Sequence, residues 1–129
     1  MSTEEKKEPA FLEIPSFDIA ESGQWTVEKD HKQLIYQSAL WPDPIIVPGG
    51  FKTDFASIPR IFTPIHPKDG KHRLAAVVHD YLCRLDGFNR KLADKIFYEA
   101  MTVLGVRKAR RAAFYIAVRI FAIFGRSKK

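Results

Sequence analysis

Two glycines, Gly87 and Gly105, constrain this chain more than any other feature. Each closes a stretch of about fifteen residues with helical periodicity, and a new helical stretch starts within three residues of each. Residues 71–124 therefore read as three helices, and connections this short make the first pair an antiparallel hairpin. On the first helix, Lys71 to Leu85, an apolar stripe holds Leu74, Val77, Val78, Tyr81, Leu82 and Leu85. The opposite side carries Ala75, Ala76, His79 and Cys83, edged by Arg73, Asp80 and Arg84, where a solvated helix would show Lys and Glu. Asn89 is suited to cap the second helix, Arg90 to Leu104, which buries Leu92, Ala93, Ile96, Phe97, Ala100, Val103 and Leu104. The third, Arg107 to Phe124, starts basic and ends as AAFYIAVRIFAIF, interrupted only by Arg119. Thirteen helical residues span about 20 Å against the ~30 Å of a bilayer core, so no transmembrane segment is expected.

The N-terminal half reads differently. Residues 1–10 are polar and mixed in charge, which predicts a flexible tail before a single domain over 11–129. Short β-favouring runs follow at Gln24 to Val27, Leu34 to Ser38 and Ile45 to Val47. The polar EKDHK segment between the first two predicts a hairpin, and Pro48-Gly49-Gly50 predicts a turn. In TDFASIPR, Asp54 and Ser57 suit a side-chain-capped structural turn, and residues 64–71 form a loop. The expected class is α+β: a small N-terminal β region followed by a three-helix C-terminal part.

At 129 residues, with 46% hydrophobic residues and ten Phe, the chain can fill one core. The lone Cys83 excludes an internal disulfide framework, and the charged start lacks a secretory signal, so a reducing compartment is expected. The net charge of +6 is concentrated at one end. Residues 107–129 hold eight basic and no acidic residues, leaving 13 basic against 15 acidic elsewhere. An anionic partner, whether membrane surface or nucleic acid, would meet Arg107, Lys108, Arg110 and Arg111 on the third helix.

The strongest chemical constellation is His79-Asp80 on the first helix with Asp94 on the second. Counted from the hairpin centre, His79 and Asp94 differ by about 3 Å along the axis, within reach of a hydrogen bond. A carboxylate on one imidazole nitrogen leaves the other free as a base, which is what a hydrolytic His needs. Asp80, about 100° further round the helix, could hold a metal. The same residues also suit a structural pair between two helices, with Asp80 bridged to Arg84 at i+4. His72 lies about 10 Å from His79 along the helix, too far to share one metal.

The strings TDFASIPR, HRLAAVVHDYLC, NRKLADKIFYEAM and GVRKARRAAFYIAVRIF, in that order, resemble a family of tailed-phage and prophage proteins, domain of unknown function 1353, over residues 45–124. That resemblance implies a viral or prophage origin and brings no activity with it. His79-Asp80-Tyr81 followed by Asp94 also resembles the helix pair of secreted phospholipases A2. It implies His79 as the group activating water, Asp94 as its orienting carboxylate, and Asp80 as a ligand of Ca²⁺. The disulfides of those enzymes are missing, the His-to-Asp spacing is shorter, and Pro48-Gly49-Gly50 or the Thr53-Asp54 turn would have to serve as calcium loop.

Two functional classes stay open. The leading one is a virion-associated or assembly component that docks to other phage proteins, in the host bacterial cytoplasm during assembly and then in the virion. The alternative is a small metal-assisted ester hydrolase using His79, Asp94 and Asp80, with Ca²⁺ as cofactor; whether the chain is an enzyme is left open.

Overall fold

The computed structural model describes residues 8–15, 17–19, 25–27, 33–53 and 73–126. The chain divides into two compact units, Met1–Thr53 and Asp54–Lys129. The architecture is the expected α+β one.

Among the described residues, the first unit holds two three-stranded antiparallel sheets. In one, β4 (Leu34–Gln37) lies between β1 (Ala10–Glu13) and β5 (Ile45–Val47). Ile45 and Val47 are buried and Ile46 is exposed, the period of two that a half-covered strand demands. Leu34 and Tyr36 of the central strand are fully buried, and Phe11 packs on Tyr36 at 4.6 Å between ring centroids. The other sheet places β3 (Trp25–Val27) between β2 (Phe17–Ile19) and β6 (Lys52–Thr53).

The hairpin expected across EKDHK does not form, because β3 pairs with β2 and β6 while β4 pairs with β1 and β5. The Pro48-Gly49-Gly50 turn does form and returns the chain to β3: Gly50 N–H donates to Val27 O at 2.7 Å, and Val27 N–H to Phe51 O at 2.9 Å. Gly50 has φ +90°, a conformation that side-chain-bearing residues avoid. Residues 1–7, Asp54, Ser57 and the 64–71 loop lie outside the described residues; Ala10, at the end of the expected tail, opens β1.

Among the described residues, the second unit holds three helices, α1 (Arg73–Arg84), α2 (Arg90–Val103) and α3 (Lys108–Arg126). Asn89 accepts from the Leu92 N–H at 3.0 Å and caps α2 as expected. At the other end Gly105, with φ +81°, lets Val106 N–H reach back to Met101 O at 3.0 Å and tucks the Val106 side chain into the core. Phe97 of α2 is the centre of the packing, 4.8 Å from the His79 ring and 6.4 Å from Phe114 of α3. Val77, Val78 and Leu82 of α1 and Ala117 and Ala122 of α3 are buried as well. Contrary to the stripe expected on α2, Met101 is buried and Val103 exposed.

Asn89→Ala removes the side-chain acceptor for the Leu92 N–H and should cost about 1 kcal/mol, whereas Asn89→Asp should cost far less. Urea denaturation midpoints of the two variants check this.

Candidate functional site

A carboxylate in a helix core needs donors, because an ionised group taken out of water without partners costs many times the stability of a domain. Asp94, in the first half of α2, is 0% exposed and has three. From α1, His79 Nε2 lies 2.6 Å from Oδ1. From one turn earlier on α2, Arg90 Nε donates to Oδ1 at 3.1 Å, and from α3, Arg119 Nη1 donates to Oδ2 at 2.7 Å. One carboxylate thus ties all three helices together. Burial alone would raise the Asp94 carboxyl, but the hydrogen bond and charge of His79, the hydrogen bond of Arg119 and the charge of Arg90 outweigh it. They hold the group below its ordinary 3.8.

An ionised carboxylate only accepts, so the proton on the His79 ring sits at Nε2, and in the neutral ring Nδ1 is the remaining acceptor, with the Cys83 thiol 3.9 Å away. The His79 side chain is 12% exposed, whereas its carboxylate partner is fully buried. The sequence expectation of a hydrogen bond between His79 and Asp94 across the hairpin matches the observed geometry.

Cys83, one turn after His79, lies 3.5 Å from Nε2 and 3.9 Å from Nδ1. Burial pushes its thiol up to about 11, with Arg90 opposing and Asp94 and Asp80 adding to the rise. A thiol protonated at neutral pH, set nearer to the nitrogen already given to Asp94, is not an activated nucleophile.

His79, Cys83 and Asp94 also offer three donor atoms within 4.8 Å of one another. Two guanidiniums on the same carboxylate repel a divalent cation, and Ca²⁺ takes six or more oxygens rather than nitrogen and sulfur. Asp80, the expected metal ligand, instead meets Arg84 Nη2 through Oδ2 at 3.1 Å. Among the described residues Asp80 belongs to no group of three or more ligand-type side chains, so these residues do not build a Ca²⁺ site.

Of the basic run, Arg107 and Lys108 are exposed and Arg110 half-buried. Arg111 is engaged within the fold: Nη1 donates to Val106 O at 2.9 Å and the guanidinium lies 5.2 Å from the Tyr98 ring centre. The sequence reading did not foresee Arg90 and Arg119 as partners of Asp94. Signals existed for both: Arg90 precedes Asp94 by four residues, and Arg119 is the one charge inside an apolar run, which calls for a buried counter-ion.

The model of a family described as protein of unknown function (DUF1353) matches residues 25–118, which include His79, Cys83, Arg90 and Asp94 and end one residue before Arg119. The chain belongs to that family. Two relatives from Sinorhizobium fredii (strain NBRC 101917 / NGR234) share the sequence pattern. The uncharacterized protein y4jT is 35% identical over 83 residues, covering 63% of this chain and 24% of its own length. The uncharacterized protein y4iH is 33% identical over 72 residues, covering 54% and 30%. The chain therefore spans less than a third of either relative. No solved structure matches.

Asp94→Asn leaves two arginines facing a neutral amide and should cost about 3–5 kcal/mol at pH 7. Because the folded carboxyl titrates below 3.8, its contribution is complete above that pH and lost as pH falls through the lowered value. Urea denaturation at stepped pH should show the gap between wild type and variant closing below about pH 3.8.

Proposed function

We propose that this is a phage- or prophage-type protein whose helical unit carries a general-base dyad for ester hydrolysis. The observation that carries the reading is the 2.6 Å contact between His79 Nε2 and the buried Asp94 carboxylate. In the proposed step Nδ1 of His79 takes a proton from water as the oxygen attacks the ester carbonyl, and then returns it to the departing alkoxide. Asp94 is a positioning residue: it holds the ring by Nε2–H and faces the positive charge that forms on it. Resemblance to the phospholipase A2 helix pair supports an acyl ester as the substrate class.

A second reading is docking to other phage proteins during assembly in the host cytoplasm and in the virion. It is favoured by Ile116, Ile120 and Ile123, which form an exposed apolar row on α3 at i, i+4, i+7. Arg107, Lys108 and Arg110 at the start of the same segment suit an anionic partner, nucleic acid or a membrane surface. No helix among the described residues is long and apolar enough to cross a membrane.

His79→Gln separates the readings because the glutamine amide still offers an N–H to Asp94. Release of fatty acid from mixed phospholipid micelles, and turnover of a short chromogenic ester, should fall about 100-fold or more. The urea midpoint should stay near wild type, and Cys83→Ala should keep its activity. A wild type without turnover, or a His79→Gln variant that retains it, would overturn the dyad and leave the docking reading.

A further inference from the structure

The turn into α2 and the second half of α3 enclose a cleft of about 440 Å³ inside the helical unit. Arg90, Lys91 and Arg119 line it, Ala122 and Ile123 supply an apolar wall, and none of its lining residues is acidic. The carboxylate that touches its cations, Asp94, is buried and does not line the cleft. Three positive charges therefore stand against one negative charge, an excess that a dianion would balance.

The cations have hydrogen bonds to spare. Arg119 spends one nitrogen on Asp94, and Arg90 spends Nε on Asp94 and Nη2 on Val118 O at 3.4 Å. A guanidinium has five N–H donors, and no nitrogen of Arg90, Lys91 or Arg119 is buried without a partner, so the remaining donors reach water. Lys91 is exposed and makes no ion pair among the described residues. Asp94 also holds both guanidiniums in place, at 29% and 27% exposure, so binding would order little more than one lysine.

We propose that this cleft binds the phosphoryl group of a phosphate monoester. Its tetrahedral oxygens can face two planar forks and an ammonium at once, and its charge near −2 matches the excess. The cleft is larger than a phosphate ion, and Ala122 and Ile123 leave room for a small organic substituent. Ester turnover at His79 is not required for this binding, and the test reads binding alone.

The full-length chain is titrated by calorimetry with inorganic phosphate, with glycerol phosphate, and with vesicles containing phosphatidate. Saturable binding that weakens with salt is expected, with glycerol phosphate tighter than phosphate. Saturation by soluble glycerol phosphate assigns the group to a free metabolite, and saturation by vesicles alone assigns it to a lipid headgroup. In either case Lys91→Gln should weaken binding about tenfold, and Arg119→Lys, which keeps a charge on Asp94, should weaken it too. Lys95→Gln, an exposed charge one turn further along α2 and outside the cleft, should bind as wild type. The proposal is overturned by no saturation with any of the three probes, by an unaffected Lys91→Gln, or by an equal loss in Lys95→Gln.

Discussion

A carboxylate without access to water dictates the arrangement of the helical unit. Apolar interfaces tolerate sliding, because one aliphatic contact replaces another at little cost. Hydrogen bonds to a buried ion do not, because a donor displaced by an ångström or two leaves charge uncompensated. Once α2 presents Asp94 to the interior, α1 must bring His79 to its level and α3 must bring Arg119. The axial register of both helix pairs then follows from a single residue, with Phe97 filling the space one turn along. The short connections at Gly87 and Gly105 agree with that register, so local and tertiary preferences point the same way.

How much of this could be read in advance depends on the range of the interaction. His79 and Asp94 were legible because helix rise is constant and the connection holds few residues, so counting outward from Gly87 places both. Asp80 with Arg84 was legible as one of two alternatives, being an i,i+4 pair. Arg119 was not, because its level on α3 depends on a second turn and on how α3 leans against α2, which periodicity does not encode. The β half shows the same divide. Runs at 24–27, 34–38 and 45–47 were visible as β-favouring segments, whereas β1, β2 and β6 were missed, being two to four residues long without clear alternation. The expected hairpin failed because proximity in sequence was used to choose a partner, while β4 finds β1 from more than twenty residues away.

The cluster that fixes the fold also sets limits on its chemistry. Asp94 can steady an imidazolium only with the negative charge that its arginines leave uncompensated, and each guanidinium takes part of it. A His in this setting is well oriented and its tautomer is defined. The proposed dyad is assigned to acyl esters because an alkoxide leaves without the full protonation that an amide nitrogen requires.

Arg90 and Arg119 face two ways, and that couples the two proposed sites. Toward the core they neutralise Asp94; toward the cleft they present their remaining donors. An anion in the cleft would draw guanidinium charge toward itself and leave Asp94 more of its own for His79. Groups that share partners in this way do not contribute independently. An anion held by Arg119 would then strengthen the His79–Asp94 bond, and a positively charged His79 would in turn compete with the arginines for Asp94, freeing them for the anion. The sign is the same in both directions, as linkage requires.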